Sequence, residues 1–151
     1  MKTKKDLEKY KHEFETEYGK CRILTSNQDT TLKNCSNTSN RVAPKGWSWI
    51  DYWRAMTDDA NTTLTCSSCG KVIYVGEIPT IIKELYLLTD DKPENHKALG
   101  GHVWVNKPSK GNYEGGIYIT PLCPECNNKR DESIPVLKGT KICKELGAEN
   151  E

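Results

Sequence analysis

The chain lacks any apolar run long enough to cross a membrane, and it lacks an excess of either charge. Lys and Arg number 22 against 21 Asp and Glu, a formal net charge of +1. That balance excludes the whole-chain electrostatic footprint of a strong nucleic-acid binder and leaves only a local patch for such a role. Met1-Lys-Thr-Lys-Lys-Asp-Leu-Glu opens with charge and no apolar segment follows it, so an export leader is not expected. Apolar residues are scarce as well. A hydrophobic content of 35% and a mean hydropathy of −0.75 make a thin core for 151 residues. No βαβ pattern flanks a Cys-x-x-Cys, which excludes a thioredoxin-like redox motif.

What the chain does have is cysteine at regular spacing. Cys66-Ser-Ser-Cys69-Gly and Cys123-Pro-Glu-Cys126-Asn are matched knuckles, each a tight turn that aims two thiolates at one centre. Together they supply the four sulfurs of a tetrahedral structural zinc site. All four positions are then filled by protein, so this metal would hold the fold and offer no open position to a substrate. Cys21, Cys35 and Cys143 remain of the seven cysteines, and three spare thiols fit a reducing, cytoplasmic location. The sequons at Asn34, Asn37 and Asn61 carry no weight there.

Hydrophobic spacing places the remaining elements. Leu7, Tyr10, Phe14 and Tyr18 recur at helical steps and predict an amphipathic helix over residues 4–18, ended by Gly19. Residues 25–40 are rich in Ser, Thr and Asn and read as a polar linker. Ser48 with Asp51 resembles a capping box, and Trp49, Tyr52, Trp53 and Met56 then share one core-facing helical stripe. A strand follows the first knuckle. Pro79 opens a second amphipathic helix marked by Ile78, Ile81, Ile82, Leu85 and Leu88. His96 reads as a solvated loop histidine. The runs beginning at His102 and Ile117 predict a hairpin with a long Gly-rich tip, and a short helix is expected from Asn127. Residues 134–143 read as a final strand. The expected organisation is α+β: an N-terminal helix and linker over 1–45, a zinc-stapled domain over 46–144 with an insertion at about 75–95, and a frayed tail over 145–151.

Knuckle, hairpin and a second knuckle that begins a helix is the order of a treble-clef zinc finger. The run Gly101-His102-Val, a hairpin, then Tyr118-Ile-Thr-Pro-Leu-Cys-Pro-Glu-Cys-Asn-Asn-Lys resembles the HNH endonuclease group of that fold, in particular small bacterial and phage proteins. The resemblance spans roughly residues 47–143 without 75–95. It implies His102 as a general base and Asn127 as the last ligand of a catalytic divalent metal, Mg²⁺ or Mn²⁺. It also places Gly101 at the other ligand position, where no side chain exists, and Tyr118 where an orienting Asn belongs. With two of four positions matched, the expectation is a nucleic-acid binder that does not cleave. Lys107, Lys110, Asn128, Lys129 and Arg130 would meet the phosphates. One alternative is a nuclease whose missing ligand comes from Glu114, Asp90, Asp91 or Glu94. The other is a phage or mobile-element inhibitor that binds a protein or small ligand through the N-terminal helix and the insertion. No membrane role is expected, and the oligomeric state is not legible.

Overall fold

A computed structural model describes residues 1–35, 41–107, 112–113, 115–129 and 132–150, with the side chains of 107, 112, 113 and 150 excepted. The architecture is α+β, with four α-helices and antiparallel sheets among the described residues. Helix α1 (Lys4–Tyr18) begins at Thr3, whose hydroxyl accepts from the Asp6 N–H while the Asp6 carboxylate accepts from the Thr3 N–H. This reciprocal cap satisfies donors that a helix start leaves open. Leu7, Tyr10 and Phe14 form its buried stripe, as their spacing predicts. Tyr18, at the same phase, is 40% exposed because the helix ends there.

Helix α2 (Trp49–Met56) is the centre of the molecule. Ser48 caps it by accepting from the Asp51 N–H at 3.3 Å. The expected aromatic stripe is buried, but so are Ile50, Arg54 and Ala55, because α1 covers one side and the sheet the other. Arg54 is tolerated there because four of its five N–H groups meet acceptors. Its guanidinium donates to the carbonyls of Lys2, Ala60 and Asn61 and pairs with Asp51 at 2.9 Å.

The main sheet runs in the order β1 (Ile23–Thr25), β10 (Lys141–Lys144), β8 (Tyr118–Leu122), β6 (Leu99–Lys107), β2 (Thr31–Asn34) and β9 (Ser133–Pro135), with β7 (Asn112–Tyr113) also paired to β6. The predicted hairpin is its middle, in register Gly101↔Thr120 and His102↔Ile119. Two small ribbons complete the fold. β4 (Thr63–Thr65) pairs with β5 (Val72–Tyr74), and β3 (Arg41–Val42) pairs with β11 (Glu149–Asn150).

Several expectations change. The polar stretch 25–40 holds β2, an internal strand of the main sheet between β6 and β9. Its single apolar residue Leu32 is fully buried there, and flanking pairs satisfy its backbone. The run 134–143 is two strands, split by Gly139 in the left-handed region (φ 83°), which sends β9 and β10 to different parts of the sheet. The short helix α4 (Pro124–Asn127) lies inside the second knuckle and ends where one was expected to begin, because Cys123 already serves as its cap. Finally, Glu145 is buried to 3% side-chain exposure, and the following residues pair as β11, so 145–150 is tied down on both sides.

The exception to good burial is α3 (Thr80–Leu88). It forms as predicted behind Pro79, yet no residue of it is buried. Ile81, Leu85, Leu87 and Leu88 are 68%, 53%, 68% and 83% exposed. Tyr86 is half-buried and stacks on His96 at 4.0 Å between ring centroids. His96 is therefore no solvated loop residue. It is 6% exposed, with Nδ1 at 2.7 Å from the Val72 carbonyl and Nε2 at 2.6 Å from Asp91. No helix among the described residues is long and apolar enough to cross a membrane.

Candidate metal centre

Cys66 and Cys69 occupy the turn between β4 and β5, and Cys123 and Cys126 bracket the start of α4. The four sulfurs all lie within 4.8 Å of one another. Cys69 and Cys123 sulfurs are 3.8 Å apart. A tetrahedron with metal–sulfur bonds of about 2.3 Å has edges of about 3.8 Å, which the Cys69–Cys123 pair matches and the other pairs approach within the 4.8 Å limit. Backbone amides aim at the sulfurs as well: the Cys123 N–H points to Cys66 at 3.3 Å and the Cys126 N–H to Cys123 at 3.5 Å.

Electrostatics favour a cation here. Burial, then the neighbouring Cys66 and Cys123, hold the Cys126 thiol well above its ordinary value, and burial raises Cys123 too. Cys66 is also penalised by burial, but the amides of Cys69, Cys123 and Ser68 outweigh it and draw its thiol below the ordinary value. A divalent ion converts this mutual repulsion into ligation.

The second knuckle is braced by a residue that sequence reasoning passed over. Asn34, 2% exposed at the end of β2, donates from Nδ2 to the carbonyls of both Cys126 and Lys129 at 2.8 Å. Its signal was hidden inside a run of Ser, Thr and Asn that reads as linker. Asn34→Ala is expected to cost about 3 kcal/mol, since two buried carbonyls lose their donor. A urea titration of the two proteins measures this, and an unchanged midpoint would remove Asn34 from the support of the knuckle.

The HNH-like positions are arranged differently from the cysteines. A Cβ on Gly100 would come within 2.5 Å of the Trp49 carbonyl carbon, and one on Gly101 within 2.4 Å of Leu122 Cδ1 and 3.2 Å of Asn127 Oδ1. Gly100 and Gly101 therefore face opposite sides of β6, as strand alternation requires. His102 falls on the Gly100 side, its ring edge-on to Trp49 at 5.1 Å. Asn127 falls on the Gly101 side. The structure does not bring His102 and Asn127 to one face, and Leu122 occupies the space where a ligand from position 101 would stand.

His102 is 9% exposed, and its Nε2 lies 3.1 Å from Glu145 Oε2. The approach is off the line of a hydrogen bond, so both buried atoms lack a hydrogen-bond partner among the described residues. The other Glu145 oxygen pairs with Arg41. This Arg41–Glu145–His102 group joins three distant parts of the chain behind α2 and leaves Nε2 no path to a phosphate. Glu114, Lys110 and Arg130 lie outside the described residues, and Lys107 is described only as β6 backbone. Asn128 is exposed and Lys129 half-buried. Asp91 is engaged by His96, which with its hydrogen bond draws the carboxyl below its ordinary value.

Compared with protein-family models, curated proteins and solved structures, the chain matches none.

Proposed function

We propose that this chain is a zinc-stapled, HNH-like treble-clef module that binds a protein partner and does not cleave nucleic acid, with helix α3 as the surface it offers. The four-cysteine cluster, the β6/β8 hairpin and α4 within the second knuckle support the treble-clef reading. The tetrahedral dimensions and all-thiolate donor set favour zinc in a structural role.

The observation that carries the reading is the apolar surface of α3. A helix of nine residues has little stability of its own in water. Four large aliphatic side chains left exposed on it mark a contact surface. Ile81, Leu85 and Leu88 repeat at four and three residues, the pattern of a helix that enters an apolar groove. Residues 76–96 carry five acids against two lysines, in a chain whose net charge is +1. The groove that fits is therefore apolar with a basic rim, and the local negative charge disfavours both a second copy and an anionic lipid surface.

A Leu85→Lys/Leu88→Lys variant should fold with an unchanged melting temperature, because neither side chain is buried. Wild-type protein immobilised in a bacterial extract should retain a partner that the variant loses. The purified partner should then bind at least tenfold more weakly to the variant, and more weakly to wild type as salt rises. Equal affinity for both forms would overturn the assignment of α3. A nucleic-acid partner is the second reading, carried by the exposed Asn128 beside Lys129 at the second knuckle. It predicts a gel shift of DNA or RNA that fades with salt.

A further inference from the structure

A second site, independent of α3, lies on the opposite side of the first knuckle. Val75 N–H bonds to the Thr62 carbonyl at 2.8 Å and Cys66 N–H to the Lys71 carbonyl at 2.7 Å. In the register Leu64↔Ile73 this turns Thr62, Leu64 and Cys66 towards β5. Antiparallel pairs alternate, so the N–H and C=O of Thr63 and Thr65 point away from β5, along the other edge of β4. No described residue bonds to them. The outer edge of β5 is different: Ala98 N–H caps the Tyr74 carbonyl at 2.8 Å and His96 caps that of Val72 at 2.7 Å.

The free edge of β4 is sunk in a cleft of about 500 Å³. One wall is the turn at residues 58–61, held by Arg54 through the Ala60 and Asn61 carbonyls. The facing wall is residues 139–141, and its anchors lie elsewhere. Gly139 and Thr140 donate to Ser26, and the Lys141 carbonyl accepts from Trp53 at 2.9 Å. At the end towards the knuckle, Ser67 N–H bonds to the Pro121 carbonyl and closes the slot. Both walls are thus held by bonds that leave the free edge of β4 unpaired.

We infer that this slot binds an extended peptide segment of a partner protein by strand addition to β4. A three-residue edge is about 10 Å long, enough to pair two residues of an incoming strand through Thr63 and Thr65. Trp53, Leu64 and Pro121 are buried in the lining of the cleft and the rest of it is mostly polar, with Asp58, Asp59 and Lys141 among its residues, so the incoming strand is held mainly through its backbone. The recess selects the occupant. A single extended chain enters it, whereas the same edge of a second copy is sunk in its own slot and cannot meet this one.

The test uses the full-length zinc-loaded chain and, as probe, a phage-displayed pool of random heptapeptides. Peptides enriched on the wild type should slow amide exchange at Thr63 and Thr65 when added in solution. They should bind at least tenfold more weakly to Thr63→Pro, which removes an edge donor at a strand start that tolerates proline. Lys141→Trp, which fills the cleft from the facing wall, should weaken them equally and serves if Thr63→Pro does not fold. Enriched peptides that leave the two amides unprotected, or a pool that yields none, would overturn the proposal. Sedimentation showing a dimer that Thr63→Pro dissolves would also overturn it, in favour of a second copy.

Discussion

Stripping zinc from the loaded protein with a strong chelator is expected to lower its melting temperature by tens of degrees, the largest effect foreseen for this chain. Structural zinc contributes on the order of 10 kcal/mol to folding in four-ligand sites. A domain of ordinary stability holds only about 5 to 15 kcal/mol in total. Here little else substitutes for the ion. Cys66, Cys123 and Cys126 sit within the apolar core itself, and hydrophobic residues make up only 35% of the chain. Without a cation, burial holds Cys123 and Cys126 as thiols against one another, and the β4–β5 turn and α4 lose their common anchor. Acidification should act in the same direction, because protonated thiols release the metal. Circular-dichroism melts with and without chelator, paired with a metallochromic assay for one zinc per chain, provide the measurement. An apo protein that melts with the loaded one would sink the scaffold role.

Gly100→Ala is the substitution with the next largest expected loss, about 3 kcal/mol or more. The added methyl would meet the Trp49 carbonyl carbon at 2.5 Å and the Ile50 nitrogen at 2.6 Å, both backbone atoms of α2 at its first turn. Backbone cannot step aside without lifting α2 from β6, and α2 carries Trp49, Tyr52 and Trp53 of the core. The adjacent Gly101→Asp makes an instructive contrast. Its Cβ meets a side chain and not backbone, Leu122 Cδ1 at 2.4 Å and Cγ at 2.9 Å, but Leu122 is fully buried and the new carboxylate would lose its water there. Gly101→Asp should therefore lose stability on a scale comparable to Gly100→Ala, and DNA incubated with its folded fraction and Mg²⁺ or Mn²⁺ should stay intact, because His102 faces the other side of the strand. Equilibrium unfolding in urea measures the two variants. A Gly100→Ala protein as stable as wild type would mean that α2 does not pack this closely on β6. The glycine pair is thus a packing device first, since it lets a helix approach a strand more nearly than any Cβ allows.

Several features escaped sequence reasoning for a shared reason. Glu145 and His96 belong to types usually found in water, and partners 104 and 24 residues away in the chain, Arg41 and Val72, help to make their burial tolerable. Residues 31–34 have one apolar side chain, so no period marks them as a strand, and their place in the sheet depends on edges offered by β6 and β9. The stripe of α3 errs the other way. Its helical period is correct, but periodicity reports that one face is apolar and not what covers it.

By itself the sequence determined what is local. Two Cys-x-x-Cys turns prefigure the sulfur cluster, because the ligands of each turn lie three residues apart. Caps at Ser48 and Gly19 and the steps of Leu7, Tyr10 and Phe14 set α1 and α2, because a helix is closed by contacts within four residues. Tertiary structure decided everything that depends on distant partners: the insertion of β2 into the sheet, the burial of Glu145, the opposite facing of His102 and Asn127, and the exposure of α3. Those outcomes turn on which surfaces meet and which backbone groups are left to pair. Such choices are settled by the packing of the whole chain, where hydrophobic burial and hydrogen-bond satisfaction are jointly met, and no short window of residues contains them.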